Sequence, residues 1–480
     1  MSLNIEPKSV FGFFEEISQI PRGSGNEEAI SKYLEKFAID RNLEYVRDSA
    51  NNVIIKKGGS AGYENSPAVI LQGHSDMVCE KEDGSTHDFL KDPLQLKVEG
   101  DLLSATGTTL GGDNGIAVAF ALAVLDDDTI EHPPVEVVIT TDEETGMGGA
   151  KALDASYLKA RKLINLDSEE EGYLLVSCCG GRRVNLNIPV RREKVSGYTV
   201  LSVNIGGLKG GHSGAEIHLQ RANANKLMGR VLRALSSEAD LRIVSVNGGN
   251  VDNAITRDCC AIVAVKDSDV TAVKEKSAAL AETLCAEYRG VEEQVLITVT
   301  ENVTELDPIV KEDGENLVRV INLIPYGVRA MSTDIKDLVE TSCNLGIIAT
   351  DENCVRFGNS VRSSVATRKE ALCSKFEDIA ALAGGSCDMH ADYPGWEFNP
   401  DSELLKLFKE TYTQMYGKEP VVMAMHAGLE CGLFAEKMPG VDMISIGPDM
   451  WDVHTPQERL SIKSVASTWE FIKAVLKNMK

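Results

Sequence analysis

The chain has 480 residues, 43% of them hydrophobic and 25% charged, an ordinary composition for a globular protein of several domains. Lysine and arginine number 49 against 73 acidic residues, a formal charge of −24, so the basic footprint that nucleic-acid binding requires is missing. The opening MSLNIEPKSV lacks the basic and apolar regions of a signal peptide. The longest clean apolar run, 116–125, is about half of a bilayer span, so a cytoplasmic location without membrane association is expected. Eleven cysteines, an odd number with no CxxC pair, read as reduced and mostly buried thiols.

In chain order, compact β-rich runs at 52–56, 68–72, 135–140 and 162–165 alternate with helical spacing at 27–38 and 116–125. This alternation predicts an α/β layer around a central, largely buried sheet. From about residue 182 the pattern changes to paired strands followed by single helices. Runs 241–246 and 260–265 precede a helix at 271–288, and runs 342–349 and 354–358 precede another at 369–382. Residues 182–393 are therefore expected to form an inserted α+β domain of two similar halves. After Tyr393-Pro394-Gly395-Trp396, a helix at 402–415, a strand at 443–446 and a helix at 462–476 resume the first layer. The expected organisation is one domain, 1–181 and 394–480, split around a second, with hinges near Gly180 and Gly395.

Four of the β-rich runs lead into residues that bind metals. They deliver Gly73-His74-Ser75-Asp76, Thr141-Asp142-Glu143-Glu144, Asp167, and Gly447-Pro448-Asp449 on the way to His454. A fifth candidate, Asp113, stands in Gly111-Gly112-Asp113-Asn114-Gly115 before a predicted helix. In open α/β sheets ligands gather beyond the carboxyl ends of the strands, so these residues are expected at one edge. His74 and Asp76, two apart in an extended segment, share a face, and a carboxylate beside a metal-bound imidazole fixes its tautomer. Glu143 and Glu144 are expected on opposite sides of a strand end, one coordinating metal and the other serving as general base. Asp113 has two oxygens with which to bridge two ions, and imidazoles mixed with carboxylates suit zinc, manganese or cobalt better than calcium. Each residue alone has a plainer reading. His74 and Asp76 pass as a hydrogen-bonded pair, Asp142-Glu143-Glu144 as a solvated loop, Asp113 as a helix N-cap, Asp167 as a turn residue and His454 as loop. Their joint placement after successive runs is what favours a metal site. His212, between glycines in Gly210-Gly211-His212-Ser213-Gly214, and His426 are further candidates for a pocket, whereas His87, His132, His218 and His390 have no such setting. The glycine-rich stretch 107–115 lacks the lysine of a phosphate loop, and no G-x-S-x-G elbow is present.

Together, GHSDMV, TTLGGDNGIA, TTDEETGM, INLDSEEEG and DVHTPQE resemble one metallopeptidase family, that of aminoacylase, the carnosinases and the bacterial dipeptidases. The likeness spans nearly the whole chain, and KGGHSG, HAGLECGLF and YPGW narrow it to the aminoacyl-histidine dipeptidase branch. The resemblance implies a zinc-peptidase-like catalytic domain with a central mixed sheet and an inserted lid. It implies two divalent ions, zinc with manganese or cobalt as alternatives. His74 and Asp167 would hold one ion, Glu144 and His454 the other, and Asp113 both, with a cis peptide after it. Asp76 would orient His74, and Glu143 would be the general base on a water between the ions. In the lid, His212 would stabilise the oxyanion, Asn253 and Arg362 would bind the substrate, and Gly428 would line its pocket. The implied activity is hydrolysis of dipeptides, preferentially Xaa-His and carnosine-like compounds, with release of histidine after lid closure. A broader dipeptidase or tripeptidase, or an N-acyl amino acid deacylase, is the alternative on the same fold. The expected partner is a small peptide substrate, and the resemblance leans towards a homodimer.

Overall fold

The computed structural model describes residues 3–480, which divide into two compact units. The first comprises residues 3–177, Phe398–Ala424 and Leu429–Lys480. Its centre is an eight-stranded mixed sheet. Four neighbouring strands, Val135–Thr140, Val69–His74, Lys162–Asn165 and Asp442–Ser445, run parallel. Val53–Lys57 and Tyr173–Cys178 flank them in the antiparallel sense. Every residue of Val69–His74 and Val135–Thr140 is buried, as expected for strands covered on both faces. The helix Gly112–Asp126 is buried all round from Gly115 to Leu125, so it forms the interior of the unit rather than its surface. Phe11, Phe14 and Ile17 of Lys8–Ile17 and Trp469 and Ile472 of Ile462–Asn478 complete the same core.

The pairing register places strand ends together: His74 lies opposite Thr140, Gln72 opposite Asn165, and Asn165 opposite Ser445. The loops that follow these residues therefore leave the sheet at one edge. A small antiparallel sheet of Leu96–Glu99, Leu102–Ala105, Arg459–Ser461 and Met450–Trp451 holds the two ends of the loop that carries His454.

The second unit is Cys178–Glu397 together with Met425–Gly428. It is built on a nine-stranded antiparallel sheet with its own core. Leu241–Gly248, Cys259–Lys266, Tyr198–Gly206 and Leu296–Glu301 form one side, with helices Ala224–Glu238 and Val270–Glu287. Val339–Thr350, Cys354–Ser363, Gly180–Pro189 and Ser386–Tyr393 form the other, with helix Ala366–Leu382, whereas Lys311–Leu323 packs against Ala224–Glu238 and Leu241–Gly248 of the first side. The register gives one residue pair between these sides, Gly248 with Ile348. At the start of the unit Cys178 and Trp396 exchange backbone hydrogen bonds of 3.0 Å. A Cβ on Gly180 would meet the Gly395 nitrogen at 2.6 Å, so glycine is required here by close backbone approach.

None of the eleven cysteines is in a disulfide, and six of them are buried. Among the described residues no helix is long and apolar enough to cross a membrane.

Candidate metal centre

Three groups of side chains at the carboxyl edge of the first unit converge with their donor atoms within 4.8 Å of one another: His74, Asp113 and Asp167; Asp113, Glu144 and His454; and His74, Glu143 and Glu144. Asp113 lies at the intersection of the first two. Its Oδ1 is 3.2 Å from His74 Nε2 and its Oδ2 is 3.1 Å from His454 Nε2. Asp167 Oδ1 stands 3.4 Å from His74 Nε2, and Glu144 Oε2 stands 3.1 Å from His454 Nε2.

Local structure explains these positions. Asp113 follows Gly111, whose φ of 64° suits glycine, and both Asp113 and Asn114 break the helical backbone of Gly112–Asp126. The Asp113–Asn114 peptide is cis. The N-cap position is Gly111 rather than Asp113, whose carboxylate meets His74 and His454 instead. Asn114 turns inward instead, accepting from the His74 N–H at 3.2 Å and donating to the Leu166 carbonyl at 2.9 Å. That contact needs Gly73, where a Cβ would lie 2.4 Å from Asn114 Oδ1. The expectation that Glu143 and Glu144 straddle a strand end is corrected. The strand ends at Thr140, and both glutamates open a short helical turn, Glu143–Gly146, entered through Asp142 at a φ of 53°. His454 also has a positive φ, 63°, a strained conformation of the kind found at functional sites.

Asp76 is the organising carboxylate. Oδ1 accepts from His74 Nδ1 at 3.2 Å and the Glu143 N–H at 3.1 Å; Oδ2 accepts from Ser24 Oγ at 2.9 Å and the Glu144 N–H at 3.2 Å. Burial pushes this acid up, but the bonds from His74, Glu143 and Ser24 outweigh it and hold it below the usual carboxylate range. With Nδ1–H donated to Asp76, His74 presents the Nε2 lone pair to Asp113 and Asp167.

The donor set fits divalent ions. Ligand atoms about 2.0–2.1 Å from a tetrahedral ion lie about 3.3–3.4 Å apart, close to the separations here. The electrostatics agree. Burial opposes a charge on His74, yet Asp167, Asp113 and Asp76 raise its pKa well above the ordinary value. Bonds to Asp113 and Glu144 push His454 up to about 11. Carboxylates this concentrated demand positive charge, which metal ions supply by taking the imidazole lone pairs that protons would otherwise occupy. Glu144 Oε1, buried without a hydrogen-bond partner, is a further donor atom awaiting a cation. Glu143 stands apart from both Asp113-centred groups. Burial, reinforced by Glu144, Asp113 and Asp76 against the pull of His74, pushes it up to about 7, a suitable value for a general base and acid near neutral pH.

The remaining candidates lie in the second unit. His212, on Gly211–His212 paired with Ala254–Ile255, accepts the Gly214 and Ala215 N–H groups at Nδ1 (3.3 and 3.0 Å). This selects the neutral Nε2–H tautomer, and burial with the nearby Arg362 charge lowers the pKa. A Cβ on Gly214 would be 3.0 Å from the His212 ring and 3.3 Å from Arg362 Cζ, so the two side chains flank one glycine. The Asn253 carbonyl holds the Ser213 N–H at 2.8 Å, Arg362 donates to Tyr393 Oη at 3.0 Å, and Gly428 packs against the Tyr393 ring. His426 joins this cluster through Ser342 Oγ at 2.7 Å. His132 is a buried residue bonded to the Pro133 carbonyl, outside both clusters.

Sequence reading overlooked Arg22, Ser24, Glu430 and Glu458. Fully buried Arg22 donates to the Ser75, Asp76 and Gly111 carbonyls, tying two ligand-bearing loops together. Arg22 and Ser24 lie in no pattern that separates them from ordinary surface residues, and Glu430 stands unremarked within HAGLECGLF. The tail of DVHTPQE is the only signal that could have pointed to Glu458.

A sheet with a parallel centre, whose carboxyl edge gathers two imidazoles and four acids, one of them an aspartate shared by two ligand groups, defines a metallohydrolase. The chain belongs to peptidase family M20/M25/M40, whose pattern matches residues 70–478, and is a peptide-bond hydrolase. It is 38% identical over 476 residues to the cytosol non-specific dipeptidase of Escherichia coli (strain K12), covering 99% of this chain and 98% of that protein. The crystal structure of aminoacylhistidine dipeptidase from Vibrio alginolyticus superposes with a TM-score of 0.96 at 38% identity, covering 100% of this chain and 98% of the other. Aminopeptidase PepT from Bacillus cereus shares the fold, with a TM-score of 0.57 at 17% identity and 99% coverage of both chains.

Proposed function

We propose that this peptidase hydrolyses dipeptides, with Xaa-His and carnosine-like compounds preferred and histidine released, in the cytoplasm. The observation that carries the reading is the shared carboxylate: Asp113 faces His74 with one oxygen and His454 with the other, while Glu143 stays out of both sets. His74, Asp113 and Asp167 would hold one divalent ion, and Asp113, Glu144 and His454 the second, zinc being the proposed metal. Bound there, the ions would polarise the scissile carbonyl and acidify the attacking water.

Glu143 takes the proton of that water as its oxygen attacks the peptide carbon, then delivers the proton to the leaving amine nitrogen. Asp76 keeps His74 in one tautomer and, through the Glu143 and Glu144 N–H groups, sets the start of the turn that carries the base. His212, neutral with an outward Nε2–H, stabilises the oxyanion. Arg362, whose buried Nε has no hydrogen-bond partner, would receive the free carboxylate of the dipeptide in a bidentate grip, and Asn253 and Gly428 would complete the substrate pocket. In this scheme residues 1–181 and 394–480 carry the chemistry, residues 182–393 act as the lid, and the assembly is a homodimer.

The relatives' names differ in breadth, non-specific dipeptidase in one case and aminoacylhistidine dipeptidase in the other, so breadth is measured directly. Metal-stripped protein reloaded with zinc, manganese or cobalt is incubated with Xaa-His dipeptides, carnosine, other dipeptides and N-acyl amino acids. Metal-dependent histidine release, abolished in Glu143→Ala, is expected. Equal turnover of all dipeptides would replace the histidine preference by the broad reading, and cleavage of N-acyl amino acids alone would overturn the dipeptidase reading.

A further inference from the structure

Glu458 lies four residues beyond His454, yet its side chain serves the loop of Asp113, more than 340 residues away in sequence. It is 2% exposed. Oε2 accepts the N–H groups of Leu110 (2.7 Å) and Gly111 (3.0 Å); Oε1 accepts those of Gly112 (2.7 Å) and Asp113 (3.3 Å). One carboxylate thus satisfies four successive N–H groups at the start of a buried helix, donors that would otherwise have no partner. The arrangement is tight, since a Cβ on Gly112 would lie 3.2 Å from Glu458 Oε1. The opposite side of the loop is held by Arg22, which donates to the Gly111 carbonyl at 2.6 Å and to the Ser75 and Asp76 carbonyls beside His74. With both oxygens committed to backbone donors, Glu458 is not placed to act as a ligand itself.

We propose that Glu458 is the positioning residue that holds Asp113 between the two imidazoles and locks the His454 loop to it, so that the affinity for the second divalent ion depends on this carboxylate. The inference rests on the proposed reading of Asp113 as the ligand common to both ions. Asp113 needs a fixed backbone for its two oxygens to serve two ions at once, and His454 reaches the same aspartate from the segment that carries Glu458. One carboxylate accordingly sets the register between the two ligand loops.

The test is calorimetric titration of the metal-free full-length chain with cobalt(II) chloride, with the visible cobalt spectrum as a second readout. Glu458→Gln keeps the volume but turns an NH2 group towards backbone donors; Glu458→Asp keeps the charge but shortens the reach. Glu136→Gln is the control, because Glu136 is also a buried carboxylate accepting backbone N–H groups, those of Lys159 and Ala160. Wild type and Glu136→Gln should each bind two ions with the same affinities. Glu458→Gln should lose about 10- to 100-fold in affinity for one of them, with an altered cobalt spectrum, and Glu458→Asp should lose less. If Glu458→Gln does not fold, the weakened ion in Glu458→Asp carries the result. Unchanged affinities in the folded Glu458 variants, or an equal loss in Glu136→Gln, would overturn the proposal. Wild-type protein taking up fewer than two ions would sink the dinuclear reading itself, and this inference with it.

Discussion

Replacing Glu430 with glutamine should flatten the dependence of stability on pH in the metal-free protein. Glu430 opens the helix Glu430–Lys437 and is fully buried. Its Oε2 accepts from Gln72 Nε2 at 2.6 Å and Thr140 Oγ1 at 2.7 Å, both uncharged donors, while Oε1 has no hydrogen-bond partner. Burial, helped by Glu143 and Asp76 and opposed by His74 and Thr140, pushes the carboxyl from 4.5 up to about 8. Below pH 4.5 the acid is protonated in both folded and unfolded chains. As pH rises towards 8, the unfolded chain has lost the proton and the folded chain still holds it, so this group's contribution to stability falls across that window and is gone above it. The distance from 4.5 to about 8 corresponds to about 5 kcal/mol at most. Glutamine reproduces the neutral acid in shape and accepts the same two bonds. The assay is urea unfolding of both proteins from pH 5 to 8.5, with the infrared carbonyl band of a buried carboxylic acid as a direct check. The wild-type free energy should fall relative to the variant by several kcal/mol across this range, and the band should be weaker in the variant. Parallel stability curves would refute the reasoning. Glu430→Leu is a different perturbation, because it leaves Gln72 Nε2 and Thr140 Oγ1 only their longer bonds, to Thr140 Oγ1 at 3.4 Å and the Gly73 carbonyl at 3.3 Å, and costs about 1 kcal/mol or more at every pH.

Glu143→Gln should lower kcat about 10²- to 10⁴-fold while metal content by mass spectrometry stays at the wild-type level; a loss below tenfold would remove Glu143 as the base. Asp76→Asn should weaken divalent-ion binding about 10- to 100-fold in calorimetry, because it loosens His74 and no longer accepts both N–H groups of the Glu143 turn. His212→Gln should reduce kcat about 10²- to 10³-fold with ion affinity unchanged, and weakened ion binding instead would contradict a role in oxyanion stabilisation. Gly111→Ala should lower the thermal midpoint, since the residue needs a φ of 64° and a Cβ there would meet Arg22 Nη2 at 2.5 Å. The cost of the backbone conformation alone is about 1–2 kcal/mol, and an unchanged midpoint would contradict it.

The parallel strands were legible because burial on both faces writes them as short apolar runs. Val135–Thr140 and Lys162–Asn165 have the extents read from sequence, and Val69–His74 differs only at its ends. Tyr198–Gly206, Ala224–Glu238 and Leu296–Glu301 went unread, because partly exposed strands and amphipathic helices mix polar and apolar residues and offer no clean run. Glu143 and Glu144 were placed on a strand end rather than in a helical turn. That turn is set by Asp76, which is 67 residues away from the first N–H it receives and gives no local signal.

The sequence by itself determined where chemistry could reside. A buried parallel strand must end at the sheet edge, and the residue types that follow such ends, with Asp113 before a buried helix, name the candidate ligands. Only the tertiary structure decided how they meet. Asp113 is divided between two imidazoles, His74 and His212 each have a tautomer selected by their neighbours, and Glu430 is isolated from charged donors. Glu458 and Arg22 acquire their roles from loops brought beside them by the fold. The physical reason is range. Apolar periodicity is a property of neighbouring residues, whereas coordination, tautomer choice and the protonation of a buried acid depend on groups within a few ångströms that can lie hundreds of residues apart.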